Sequence, residues 1–356
     1  MKILTILGAR PQFIKAAVVS RAIGKHQNIE EIIVHTGQHY DPNMSAIFFE
    51  EMEIPAPKYN LEINGGGHGE MTGRMLEKIE SIILKENPDS ILVYGDTNST
   101  LAGALAGTKL HKKIIHIEAG LRSFNNYMPE EINRSLTDRI SNFLFCPTQL
   151  SVDNLKAEGI TNNVILSGDV MQDSAIFYAN KSEEKSTIIN KLKLKEDFLL
   201  CTIHRQENTD NIEAMRNIIN SLNNISKSIR VLCPLHPRTK KIISELNITP
   251  QFEIIDPVGY FDMLELLKNC TLVVTDSGGL QKEAYFFKKQ CVTLREETEW
   301  VELVENGFNK LVGSDSELIE KEVTNSLNSQ VQFGIELYGG GNASTTIANF
   351  LSELNA

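Results

Sequence analysis

The sequence predicts an α/β protein built from two Rossmann-like domains with a cleft between them. Short apolar strands alternate with amphipathic helical stretches almost from end to end, an order that gives parallel strands and right-handed crossovers. The chain has 356 residues, more than one ordinary core serves, so two domains are expected. A charged, low-complexity stretch, Lys181–Lys185 through Lys191–Glu196, interrupts the alternation and reads as the linker region.

In the first half the expected strands are Lys2–Leu7, Glu31–His35, Ser90–Tyr94, Lys113–Ile117, Phe143–Cys146 and Val164–Leu166. The apolar run at Met1–Gly8 is too short for a secretory leader and reads as the first strand. Helix formers at 3.6-residue spacing mark Pro11–Ile23, Met71–Glu86 and Thr100–Leu110 as helices. Beyond the linker the strands are Phe198–Ile203, Arg230–Pro234, Phe252–Ile255, Thr271–Thr275 and Cys291–Leu294. The intervening helices are Asn211–Ser226, Thr239–Leu246, Tyr260–Asn269 and Gly279–Phe287, and a helix Ser344–Leu354 closes the chain. The domains are placed at 1–170 and 171–343.

Composition narrows the function. Apolar residues make up 41% and charged residues 23%, as in a soluble globular protein. The net charge of -11 argues against a nucleic-acid partner, which needs a basic face. No run of about 18 apolar residues predicts a membrane span. Cys146, Cys201, Cys233, Cys270 and Cys291 are scattered without metal spacing, so they read as reduced core thiols of a cytoplasmic protein.

Four constellations carry chemistry. Gly8-Ala-Arg10-Pro11 leads from the first strand into a helix that holds Lys15, a basic pair suited to a phosphate or an oxyanion. It is not a dinucleotide fingerprint. Two strands end in acids, Asp96 and Glu118, and Pro129-Glu130-Glu131-Ile132-Asn133-Arg134 follows. Carboxylates gathered at one sheet edge suit proton transfer, although each alone could cap a helix or pair with Arg122 or Arg134.

His204, after the first strand of the second half, suits a phosphate contact or a proton shuttle, and Pro-flanked His236 repeats the pattern. His116, inside an apolar strand, reads as a satisfied core histidine. In Thr275-Asp276-Ser277-Gly278-Gly279-Leu280-Gln281-Lys282-Glu283 a strand ends, two glycines allow close approach, and a helix begins. Free amides there make an anion cradle, and Glu283 lies one turn on, within reach of ribose hydroxyls; together they read as a nucleotide-diphosphate site. Asn64–Gly69 reads as a mobile loop, and Tyr338–Ser344 as a hinge before the last helix.

On these motifs, in this order and spacing, the chain resembles the non-hydrolysing UDP-N-acetylglucosamine 2-epimerase family over nearly its whole length. The resemblance implies a glycosyltransferase-B-like fold, UDP held mainly by the second domain, and the last helix, 344–356, packed back on the first. It implies a homodimer, a UDP-sugar substrate, and inversion at sugar carbon 2 through elimination and re-addition of UDP, with neither metal nor redox cofactor. Carried onto this chain, Asp96, Glu118, Glu130 and His204 are catalytic. Arg10, Lys15, Arg134, Ser277, Gly278, Gly279 and Glu283 bind substrate and UDP, and Glu131 drops back in favour of its neighbour.

Several positions depart from the commonest family pattern: Gln12, Gln206, the segment 38–44, Glu299-Trp300-Val301 in place of Glu-Arg-Pro, and Gly340 in place of aspartate. The altered set resembles the branch acting on UDP-2,3-diacetamido-2,3-dideoxy-glucuronate. Loss of acids at positions 12 and 340 would suit a sugar with its own carboxylate. UDP-N-acetylglucosamine itself is the alternative substrate. A hydrolysing epimerase and a glycosyltransferase are more distant readings, the latter without an Asp-x-Asp motif here.

Overall fold

The computed structural model describes residues 1–38, 53–235, 237–246 and 248–354, with the backbone alone for Arg10. It divides into two compact units, Met1–Ser174 with Glu336–Ala356, and Ala175–Ile335. The α/β class and the parallel strand order expected from the alternation are borne out.

The first unit holds a seven-stranded parallel sheet. Its strands are β1 Lys2–Leu7, β2 Glu30–His35, β3 Tyr59–Asn60, β4 Ser90–Tyr94, β5 Lys113–Ile117, β6 Phe143–Cys146 and β7 Val164–Leu166. They lie in the order β3-β2-β1-β4-β5-β6-β7, with Leu4 of β1 level with Ile32 and Ile91. Helices cover both faces, which is why the central strands read as continuous apolar runs. On one face Leu4, Ile6, Val34, Ile91 and Val93 pack against Met75, Ile79 and Ile83 of the helix His68–Glu86.

The helix Ala343–Glu353 packs on the helix Arg10–Ile23. Its Phe350 meets Phe143 and Phe145 edge-on, each at 5.4 Å. Asp173 caps its start, accepting from the Ala343 amide at 3.1 Å, the Ser344 amide at 2.7 Å and the Ser344 hydroxyl at 2.5 Å. The preceding Gly339, Gly340 and Gly341 all take left-handed φ angles, and Gly339 lies against the Gly168 backbone. The Asp169 amide donates to the Tyr338 carbonyl at 2.8 Å. The stretch read as a hinge is thus pinned at its first residues.

The second unit repeats the plan with six strands. They are β8 Phe198–Thr202, β9 Arg230–Pro234, β10 Glu253–Ile255, β11 Leu272–Thr275, β12 Cys291–Thr293 and β13 Asn309–Leu311, in the order β10-β9-β8-β11-β12-β13. Leu199, Cys201 and Val274 face Ile218, Leu222, Ile319 and Val323. Phe198, Leu200 and Val273 face Leu266, Leu267, Leu280 and Ala284 on the other side. Alternate residues of each strand therefore feed two separate cores.

The sequence reading is corrected at the glycine loop, whose His68 and Gly69 begin the helix His68–Glu86, and at the linker. The charged stretch taken as a linker is helical, in Val170–Lys185 and again in Ile188–Lys191. Its charges are engaged locally: Lys181 lies over Phe177, Lys185 over Phe261, Glu183 pairs with Lys268 at 2.7 Å, and Ser182 donates to Glu265 at 2.6 Å. Strands β3 and β13 and the helices Val301–Glu305 and Ser316–Asn328 escaped the reading. All five cysteines are free and buried, and burial pushes the Cys270 and Cys291 thiols up to about 12. Among the described residues no helix is long and apolar enough to cross a membrane.

Candidate active site

Each sheet reverses its strand order once, between β1 and β4 in the first unit and between β8 and β11 in the second. Such reversals open a crevice at the carboxyl ends of the strands. The residues singled out from sequence gather at these two places, and each is described within its own unit.

In the first unit the turn after β1 is held by Gln12, whose carboxamide oxygen accepts from the Gly8 amide at 2.8 Å and the Ala9 amide at 3.0 Å. Its nitrogen donates to the Tyr94 carbonyl at 2.8 Å and the Thr100 hydroxyl at 3.0 Å. Gln12 thereby ties the end of β1 to the end of β4. One turn further along its helix, Lys15 forms a buried ion pair with Glu118.

Glu118 has a left-handed backbone, φ 70°, and so does Gly95, φ 62°. A β-carbon on Gly95 would stand 3.0 Å from a Glu118 carboxylate oxygen and 3.4 Å from the Lys15 amine. A side chain at this position would have to push the pair aside. Strain of this kind at a non-glycine residue persists where its surroundings impose it.

Asp96 is partly exposed, and its carboxylate pairs with Nη2 of Arg134. Arg134 Nη1 reaches Glu131 at 3.1 Å. Glu131 is buried and also accepts from the Ser123 amide at 2.9 Å, the Ser123 hydroxyl at 3.0 Å and the Phe124 amide at 3.1 Å. Its oxygens are committed to the loop. Glu130, its neighbour, is exposed in the first turn of the helix Pro129–Ile140. Asn133 donates to the Asp96 carbonyl at 2.9 Å and to Oδ1 of Asn98 at 3.2 Å.

Beneath this edge His116 is fully buried, as read from sequence. Its Nδ1 meets Asp138 at 2.7 Å and its Nε2 meets the Gly95 carbonyl at 2.7 Å. Asp138 also accepts from Nη1 of Arg122 at 2.7 Å. Burial pushes the Asp138 carboxyl up, but His116 and Arg122 outweigh it and hold the group below the usual carboxylate range.

In the second unit Asp276, at the end of β11, is buried. It accepts from the amides of His204 and Arg205, each at 3.0 Å, and from Asn208 at 3.2 Å. The His204 ring places Nδ1 3.2 Å from Asp276, while half of its side chain stays exposed. Burial pushes Asp276 up, yet the His204 ring and these amides bring it below its ordinary value. A carboxylate on Nδ1 orients the ring and leaves Nε2 to face outward.

Ser277 caps the helix Gly278–Phe286. A β-carbon on Gly278 would strike the Glu299 carboxylate, which pairs with Arg295 at 2.8 Å. Trp300 donates to the Gly278 carbonyl at 2.9 Å, and the Lys282 amine lies 3.9 Å from the centre of its ring. Glu283 is buried within the same helix.

The structure thus brings Lys15, Asp96, Glu118 and Arg134 to the strand ends of the first unit, with Glu130 exposed on the helix that carries Arg134, and His204, Ser277, Gly278, Gly279 and Glu283 to the strand ends and following helix of the second. The Arg10 side chain, His236 and residues 39–44 lie outside the described residues. Asp276, Gln12, Asn98, Asn133 and Gly95 were not taken as site residues, although each stands inside or directly beside a motif that drew attention. Gln12 donates to a carbonyl, which a carboxylate cannot do, and Gly340 has φ 65°. Both residues answer to local structure.

The family model described as UDP-N-acetylglucosamine 2-epimerase matches residues 21–352. The chain belongs to this family. The match begins beyond Arg10 and Lys15, so it does not rest on their loop. A UDP-2,3-diacetamido-2,3-dideoxy-D-glucuronate 2-epimerase of Pseudomonas aeruginosa is 56% identical, covering 99% of this chain and 100% of that protein. A UDP-N-acetylglucosamine 2-epimerase of Methanocaldococcus jannaschii is 44% identical, covering 99% of each. The crystal structure of the Methanocaldococcus jannaschii epimerase with UDP-GlcNAc and UDP superposes with a TM-score of 0.90, covering 99% of this chain and 100% of that one. The Neisseria meningitidis epimerase bound to UDP-GlcNAc gives 0.89 at 31% identity, with the same coverage. The fold is therefore the glycosyltransferase-B-like one of these epimerases.

Proposed function

We propose that this UDP-sugar 2-epimerase converts UDP-2,3-diacetamido-2,3-dideoxy-glucuronate to its mannuronate epimer, a step in surface-polysaccharide synthesis. One observation carries the choice of substrate: the end-to-end identity of 56% to the Pseudomonas aeruginosa enzyme of that name, against 44% to the Methanocaldococcus jannaschii UDP-N-acetylglucosamine 2-epimerase.

In this reading a base takes the carbon-2 proton as the bond from carbon 1 to UDP breaks, leaving a glycal. UDP then re-adds at carbon 1 while a proton reaches carbon 2 from the opposite face. That proton is weakly acidic, so stabilising the departing UDP carries much of the barrier. Asp96, Glu118 and Glu130 supply the proton chemistry. Lys15 and Arg134 hold two of these acids in place and with Arg10 contribute positive charge to the substrate. The Ser277–Gly279 amides and His204 receive the pyrophosphate, and Glu283 the ribose. The enzyme works as a cytoplasmic homodimer.

The test is proton NMR in heavy water with each candidate UDP-sugar. Deuterium entering carbon 2 together with an equilibrium between two epimers of the uronate supports the reading. Turnover of UDP-N-acetylglucosamine at an equal rate defeats the substrate choice. Free UDP accumulating in step with free sugar defeats the non-hydrolysing mechanism.

A further inference from the structure

We propose that His68 is the residue that recognises the sugar's carboxylate, an inference that rests on the uronate reading above. His68 follows the three glycines of the loop Gly65–Gly67 and begins the helix His68–Glu86. Its side chain is exposed, and its Nδ1 lies 3.2 Å from the carboxamide nitrogen of Asn98. A relay of fixed polarity connects it to the acid edge. It starts at the main-chain carbonyl of Asp96, which can only accept, so the group of Asn133 facing it is the NH2. That NH2 also contacts Asn98, which must accept there with Oδ1. The Asn98 NH2 is then turned to His68, where it donates to Nδ1, and to the sulfur of Met71 at 3.8 Å. Nδ1 being the acceptor, the proton of the neutral ring sits on Nε2. His68 therefore offers an N–H donor held in register with the loop that carries Asp96.

The charges of this edge make such a donor useful. Lys15 is paired with Glu118, and Arg134 with Asp96 and Glu131. Glu130 is exposed in the first turn of the helix that carries Arg134. A sugar bearing its own carboxylate meets acids here whose cationic partners are already engaged. His68 donates through Nε2 without drawing on those pairs. A carboxylate partner also makes the hydrogen bond charge-assisted, which raises its worth above that of a neutral one.

The experiment compares two substrates, UDP-2,3-diacetamido-2,3-dideoxy-glucuronate and the same nucleotide sugar with a hydroxymethyl group in place of the carboxylate. In His68→Ala, kcat/KM for the uronate is expected to fall by about 10- to 100-fold, the range of a hydrogen bond to a charged group. The neutral sugar should change by less than about threefold, and His68→Gln, which keeps an N–H donor, should recover part of the loss on the uronate. Equal losses on both sugars, or an unchanged rate with the uronate, overturn the role of His68 alone. Wild-type enzyme that prefers the neutral sugar, or that acts only on UDP-N-acetylglucosamine, overturns the substrate reading and the proposal with it.

Discussion

Asp96 is gripped twice, by Arg134 at its carboxylate and by Asn133 at its carbonyl. Only the first grip depends on charge. Asp96→Asn should therefore keep the loop in place while losing proton transfer: kcat falls by about 10²- to 10⁴-fold, while UDP affinity by calorimetry shifts little. Retention of more than about a tenth of wild-type turnover would remove Asp96 from the proton chemistry. Asp138 is bound differently, between the buried side chains of His116 and Arg122. Asp138→Ala takes from the His116 ring its carboxylate partner and from Arg122 one of its two acids, Glu158 remaining, a loss worth at most about 3–5 kcal/mol, readable as a lower urea midpoint. Asp138 and Asp276 both sit below their ordinary range when folded. Their contribution to stability is thus complete above the unfolded value of about 4 and is lost as the pH falls through the folded values. The urea midpoint should drop below about pH 4, and Asp276→Asn should flatten that drop; an unchanged pH profile in the variant would count against the assigned shift.

At the scale of elements, the proposed chemistry depends on how two strands end. Gly95 and Glu118 follow β4 and β5 and both turn left-handed, which brings the Glu118 carboxylate over the Gly95 α-carbon. Gly95→Ala adds a β-carbon in that space and a left-handed cost of about 1–2 kcal/mol. We expect melting to move by only a few degrees while turnover collapses, because the misplaced group is Glu118. A variant that melts far lower yet keeps its turnover would separate Gly95 from the site. The acids themselves were legible in sequence, since a β run that stops at a lone carboxylate marks a strand end. Their partners were not: Lys15 and Glu118 are 103 residues apart, and His204 and Asp276 are 72 apart, so only the strand order makes them neighbours. Strand β13, three residues long, is too short to display a two-residue period. The helix Ser316–Asn328 does carry a readable signal, Ile319, Val323 and Leu327 at four-residue spacing, set among polar residues.

For the whole molecule, the chain order conceals which residues fold together. The last helix belongs to the first unit, and nothing in its own composition says so; family resemblance alone suggested it. Its attachment is specific: Ile347, Ala348 and Leu351 are buried, Phe350 meets Phe143 and Phe145, and the Asp173 carboxylate caps its first turn. Burying Ile347 and Leu351 is worth about 1.5–3 kcal/mol each, and the half-buried Phe350 adds to this, together a large share of a typical domain stability of about 5–15 kcal/mol. Ending the chain at Asn342 should therefore loosen one sheet and spare the other, because the two units have separate cores. Hydrogen exchange followed by mass spectrometry would read this directly. Amides of β1, β6 and the helix Arg10–Ile23 should exchange faster in the truncated chain, while those of β8, β9 and β11 stay protected. Uniform acceleration across both sheets would mean that the units share one stability, and an unchanged pattern would mean that the last helix contributes little to either.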